Sequence, residues 1–265
     1  MLALRRLSNA VLSYLDKRAE HYMWRRENFN YDSETNGEFE LLKRLSASNL
    51  QTIFDVGANK GLWALECCKL IPDATVHAFE PVPTTFEQLN QTLAGRKNVI
   101  ANPFGLADKE GSVKATTRRS ASELTSIVSD VSRMHNARFG DSLEIQVRLH
   151  TGDAYCAERN ISHIDFLKLD TEGAEDRVLQ GFAKILDRGA ISIIQFEYGM
   201  ANIYSKFLLR DFYDLLMSHG FTIGKLYPTG VRFRPYQPEH EDFRGPNYVA
   251  VHSSRADFAE LLAAR

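Results

Sequence analysis

The chain has 265 residues, 44% of them hydrophobic and 25% charged, which is enough to bury a sizeable core and too apolar for a disordered chain. Its formal net charge of −2 argues against nucleic acid as the main partner. Its three cysteines, adjacent Cys67 and Cys68 and solitary Cys156, form neither a disulfide framework nor a zinc pattern and fit a reducing, cytoplasmic setting.

From the start, Leu4, Leu7, Val11, Leu15, Ala19 and Tyr22 recur at helical spacing among Arg5, Arg6, Lys17, Arg18, Arg25 and Arg26. This predicts an amphipathic helix that packs on the main domain or on a second copy of the chain, with a weak membrane-surface contact as the other reading. Ser8, Asn9, Ser13 and Asp16 interrupt any signal-peptide core, and no run approaches the roughly 20 apolar residues of a transmembrane segment. A second helix is expected around Phe39, Leu41, Leu42 and Leu45, so that residues 1–50 form a helical cap on a domain spanning 51–265.

From Thr52 the pattern alternates between strands and helices: strand 52–56, helix 60–70, strand 75–79, helix 84–94, strand 98–102. The runs 164–169 and 191–197 are apolar on both faces, as buried parallel strands are, with a helix over 175–186 between them. A helix over 207–219 closes on Gly220, and strands 221–227 and 247–252 follow as a late antiparallel pair. Thr116 to Asp141, rich in Ser, Thr, Arg and Asn, breaks the pattern and is expected to be a substrate-side lid near the carboxyl ends of the strands.

The first strand runs into the turn Gly57-Ala58-Asn59-Lys60-Gly61, and Glu80 ends the second strand 25 residues after Asp55. Such a unit binds a nucleoside, with the glycines admitting the ligand to the main chain and the acid accepting ribose hydroxyls. The middle glycine of a dinucleotide turn is missing, and Asp55 would repel a phosphate but attract an ammonium or sulfonium group. Together these features favour S-adenosylmethionine over NAD.

The phrase Lys168-Leu169-Asp170-Thr171-Glu172-Gly173-Ala174-Glu175, with Val178-Leu179-Gln180-Gly181, the Asp55–Gly61 turn and Phe79-Glu80-Pro81, resembles the FkbM family of S-adenosylmethionine-dependent methyltransferases. Asn36-Gly37-Glu38 and Asn247-Tyr248-Val249-Ala250 look like that family's edges. The resemblance implies a seven-stranded, mostly parallel, doubly wound sheet of Rossmann type with a late antiparallel strand. It also implies methylation of a hydroxyl on a sugar, glycan or small secondary metabolite.

In that frame Asp55, Gly57, Ala58, Asn59 and Gly61 face the methionine end of the cofactor, Glu80 takes the ribose, and Leu106 and Ala107 lie near adenine. The family-like phrase puts Glu38 over the cofactor. Asp170, at the end of the fourth strand and beside the first, is the leading general base. Strand alternation puts Lys168 on the same face, as support first and catalyst second. Glu172 and Glu197 complete the acceptor side, while Glu175 is expected at a helix N-terminus. These acids can also hold a divalent cation, but no metal is assigned, and no pair among the eight histidines has ligand spacing. The rival readings are a nicotinamide-dependent oxidoreductase and a non-catalytic nucleoside-binding scaffold. The chain lacks a Tyr-x-x-x-Lys pair of the short-chain dehydrogenase type.

Overall fold

A computed structural model describes residues 2–118, 125–128, 131 and 142–264. Five parallel strands form the centre: β1 (Thr52–Val56), β2 (Thr75–Phe79), β3 (Val99–Asn102), β7 (Ile164–Leu169) and β8 (Ile191–Glu197). They lie in the order β3-β2-β1-β7-β8, the doubly wound arrangement whose order reverses between β1 and β7. Beyond β8 the direction changes: β11 (Asn247–His252) pairs antiparallel with β8 and with β9 (Phe221–Tyr227), and β10 (Gly230–Phe233) closes a hairpin on β9. The sheet is therefore Rossmann-like and mixed, with eight strands among the described residues where seven were expected. The additional strand follows a tight turn in which Gly230 takes φ 118, a conformation open to glycine.

Alternation along the strands separates two cores. Phe54, Val56, Leu167, Leu169, Ile194 and Phe196 face one side, under α5 (Gly152–Glu158), α6 (Glu175–Gly181), α7 (Ala183–Asp187) and α9 (Leu209–Ser218). Ile53, Phe166 and Ile193 face the other, under α2 (Glu38–Leu45), α3 (Leu62–Leu70) and α10 (Ala256–Leu262). Each such fully buried side chain contributes about 1.5–3 kcal/mol. The second face also carries a polar row. Asp55 on β1, Lys168 on β7 and Gln195 on β8 are register neighbours, and all are buried.

A second, three-stranded sheet of β4 (Gly105–Leu106), β6 (Ser142–His150) and β5 (Gly111–Arg118) was not expected. Its period-two signal is nevertheless present in Ile145, Val147 and Leu149, of which Val147 and Leu149 are buried with Ala107 and Ala115. The expected lid over Thr116 to Asp141 lies outside the described residues, apart from the end of β5, residues 125–128 and Val131. Val128 and Val131 pack on Ala174, beside the loop that follows β7.

The first fifty residues divide into two unlike parts. In α1 (Leu2–Arg26) every described side chain from Ser13 to Arg26 is exposed, so this helix does not pack on the domain as expected. Arg18 and Arg25 interrupt its apolar face. By contrast α2 buries Leu41, Leu42 and Leu45, and its Glu38 is buried too. The Glu38 carboxylate accepts from Asn36 Nδ2 at 2.8 Å, Gln195 Nε2 at 2.8 Å and Asn247 Nδ2 at 3.0 Å, tying the segment to β8 and β11.

Candidate functional site

At the carboxyl ends of β1, β2, β7 and β8, where open α/β sheets bind ligands, lies a cavity of about 470 Å³. Its shape begins in the turn after β1. Gly57, Asn59 and Gly61 take φ of 85, 47 and 80, left-handed angles that glycine accepts freely and asparagine tolerates. Gly57 and Ala58 both donate to the Phe79 carbonyl, at 3.1 and 2.9 Å. A Cβ on Gly57 would lie 1.8 Å from the Asp170 carbonyl oxygen, so only glycine lets β1 and β7 end side by side.

Glu80 forms the wall at the β2 end. Its two carboxylate oxygens accept from Asn59 N at 3.0 Å and Val82 N at 2.8 Å, leaving a lone pair on each for a ligand. Burial pushes its pKa up to about 7, a rise that the two N–H donors only partly offset. The Oδ1 of Asn59, also on the cavity wall, is buried without a hydrogen-bond partner. Pro81, Gly105, Leu106 and Leu149 give this end an apolar floor.

The other end gathers acids. Asp170, Glu172, Glu175 and Glu197 line it with Tyr31, Met200 and Asn202. Lys168 Nζ donates to Asp170 Oδ2 at 2.8 Å and lies 3.8 Å from Asp55 Oδ1. Burial opposes ionisation of Asp170, but the adjacent ammonium outweighs it and holds the carboxyl below its ordinary range. Glu197 is driven well above its ordinary range, first by burial and then by the negative charge of Asp170, to which it hydrogen-bonds. The two carboxyls therefore titrate as a pair, with Asp170 the more acidic member. Burial and the charge of Asp170 likewise raise Glu172, which is held at φ 53, an uncommon angle for a non-glycine residue. Glu175 shapes the loop, accepting from Thr171 N at 2.8 Å, Thr171 Oγ1 at 2.9 Å and Gly173 N at 3.3 Å.

Of the residues singled out in the sequence, Gly57, Asn59, Glu80, Leu106, Asp170, Glu172 and Glu197 meet around this cavity. Asp55, Ala58, Gly61, Ala107, Lys168 and Glu38 do not line it. Asp55, level with Lys168 in the register and 0% exposed, has neither oxygen hydrogen-bonded among the described residues, so it meets the site only through Lys168. Burial raises its pKa to about 6, against the pull of Lys168. Glu38 is committed to Gln195 and Asn247 and does not close over the cavity. Gly61 packs toward Leu89 and Leu93, and Ala107 belongs to the small sheet's core. Tyr31 stands in a polar link without periodicity and gives no sequence signal; only the tertiary fold brings it to the cavity wall that carries Glu197.

A model of the methyltransferase FkbM domain matches residues 55–223. The chain is 30% identical over 142 residues to Methyltransferase 1 of Beauveria bassiana, a stretch covering 49% of this chain and 57% of that protein. It is 25% identical over 189 residues to 2-O-methyltransferase NoeI of Sinorhizobium fredii, covering 68% and 75%. It is 29% identical over 197 residues to 31-O-demethyl-FK506 methyltransferase FkbM of Streptomyces tacrolimicus, covering 64% and 72%. The match thus spans little more than half of the fungal relative's length. With the family match running from the acid of β1 to the late antiparallel strand, the chain belongs to the family of methyltransferase FkbM domains.

Proposed function

We propose that this protein is an S-adenosylmethionine-dependent O-methyltransferase acting on a hydroxyl of a sugar, a glycan or a small secondary metabolite. One observation carries the reading. Five carboxyl groups line the cavity, those of Glu80, Asp170, Glu172, Glu175 and Glu197, and no described Lys, Arg or His does. That field suits a sulfonium and its ammonium group and disfavours the pyrophosphate of a dinucleotide. The donor set fits as well: the spare lone pairs of Glu80 suit two ribose hydroxyls, and the unpartnered Asn59 Oδ1 suits an N–H of the ligand. The names of the relatives NoeI and FkbM support transfer to oxygen.

When bound, S-adenosylmethionine supplies an electrophilic methyl group. The protein's part is to hold the acceptor oxygen in line and take its proton. Asp170 is kept ionised by Lys168, with its side chain 42% exposed toward the cavity, and accepts that proton. Glu197 and Glu172, on the same wall, hydrogen-bond the acceptor's other hydroxyls.

Thermal-shift titration with S-adenosylmethionine, S-adenosylhomocysteine and NAD(H) tests the cofactor, because a ligand that prefers the native state raises its stability. The two sulfur nucleosides should raise the melting temperature and NAD(H) should not. A shift with NAD(H) alone overturns the reading. Methyl-labelled cofactor applied with glycan arrays and cell extracts then identifies the acceptor.

A further inference from the structure

Helix α1 stands away from the domain, yet its root is fixed. Asn28 Nδ2 donates to the Asn36 carbonyl at 2.7 Å and the Leu226 carbonyl at 3.0 Å, Phe29 is buried, and Tyr227 Oη donates to Glu27 Oε2 at 3.2 Å. Beyond that anchor Val11, Tyr14, Leu15, Tyr22 and Trp24 are 52–62% exposed, a concentration of large apolar side chains that is unusual on a free surface.

These residues are ordered around the helix. At 3.6 residues per turn Val11, Tyr14, Leu15, Arg18, Tyr22 and Arg25 share one face. The acids of the same stretch, Asp16 and Glu20, fall on the opposite side. Arg18 lies over the Tyr14 ring with its Cζ 5.8 Å from the centroid, so charge and aromatic surface are interleaved. The face is therefore an apolar and aromatic band whose charges are all positive, on a chain whose net charge is −2.

That pattern selects among occupants. A second copy laid on this face would set Arg18 and Arg25 against like charges. An anionic bilayer meets both halves of the pattern, with Val11, Leu15 and the rings entering the headgroup boundary while the arginines stay with the phosphates. We propose that α1 docks this protein on an anionic phospholipid surface through the face carrying Leu15, Arg18, Tyr22 and Arg25. No described helix is long and apolar enough to cross a membrane, so the contact lies in the plane of the surface. Tyr31 on the cavity wall is seven residues beyond Trp24, at most about 25 Å of chain, so docking brings the acid-lined end of the cavity near the lipid. The docking itself does not depend on the cavity's chemistry.

Co-sedimentation of the full chain with vesicles tests it, using phosphatidylcholine alone and phosphatidylcholine mixed with phosphatidylglycerol. The protein should sediment with the mixed vesicles and not with the neutral ones, and added salt should release it. Arg18→Glu/Arg25→Glu/Arg26→Glu should weaken binding by about 100-fold or more, from roughly fivefold per basic side chain. Leu15→Ser/Tyr22→Ser should also weaken it, whereas Asp16→Asn/Glu20→Gln on the far face should bind at least as tightly as wild type. All these positions are exposed, so unchanged urea midpoints will show that the variants fold. Absence of binding to mixed vesicles overturns the proposal, as does binding indifferent to the arginine reversals. A concentration-dependent dimer that Tyr22→Ser dissolves, without vesicle binding, assigns the face to a second copy and overturns it too.

Discussion

Lys168 Nζ stands 2.8 Å from Asp170 Oδ2, at the buried end of a strand in which only Asp165 is partly open to water. On its other side Asp55 lies 3.8 Å away at 0% exposure, so one buried ammonium serves a carboxylate on the cavity and another beneath it. Burial alone would favour the neutral amine, but Asp170 and Asp55 outweigh it and keep the lysine charged.

Lys168→Met should therefore destabilise the fold by about 3–5 kcal/mol, chiefly because it strands the buried charge of Asp55. Adding Asp55→Asn to that variant should recover part of the loss by removing that buried charge. Urea denaturation of the three proteins at neutral pH checks both statements. Equal midpoints for wild type and Lys168→Met would show that the pair contributes nothing to stability.

Asp170→Asn should leave cofactor affinity close to wild type and lower methyl transfer by roughly 10²-fold or more, the scale of general-base assistance. The amide keeps the shape of the carboxylate but cannot take the hydroxyl proton. Single-turnover rates measured with isothermal titration of S-adenosylhomocysteine separate the two effects. A fully active variant would shift attention to Glu197.

Glu80 gives two pH dependences of opposite sign. Its pKa is about 7 in the fold against 4.5 for the free group, so the folded state holds the proton more tightly. Its contribution to stability is therefore full below about 4.5 and is lost as pH rises through about 7. Ribose hydroxyls prefer the ionised carboxylate, so cofactor affinity should instead rise with pH and level off above about 7. Glu80→Gln should flatten both curves and weaken binding more than it lowers turnover at saturating cofactor. An affinity for S-adenosylhomocysteine that is unaffected by the substitution sinks the ribose role.

Gly57→Ala should be severely destabilising, because the added Cβ meets the Asp170 carbonyl oxygen at 1.8 Å and φ 85 is strained for alanine. Gly95→Ala is the comparison. It also has a positive φ, 79, but nothing lies within 4 Å of the new Cβ, so only the backbone term remains. Thermal melts of the pair should show a much larger loss at residue 57.

The sequence alone was sufficient for the parallel strands, the late antiparallel pair and the acids at strand ends. Strings such as Ile53-Phe54-Asp55-Val56 encode local backbone preference and burial on both faces, and these do not depend on remote partners. β5, β6 and β10 were not anticipated, although Ile145, Val147 and Leu149 alternate as a strand should. A short alternating run beside polar sequence becomes a strand only when a partner supplies its hydrogen bonds. Asp55 and Asp170 show the same division within the site. Both are acids at the end of a buried strand, and their positions along the chain mark both as ligand-binding candidates. Register puts Asp55 level with Lys168, beneath the cavity, and Asp170 two residues further along, on the cavity wall, with the lysine between them. Composition and periodicity determined which residues could carry charge into the interior. Only the packing of β1 against β7, and the path that returns Tyr31 to the wall carrying Glu197, decided which of those charges face the cavity, because facing depends on contacts between segments more than a hundred residues apart.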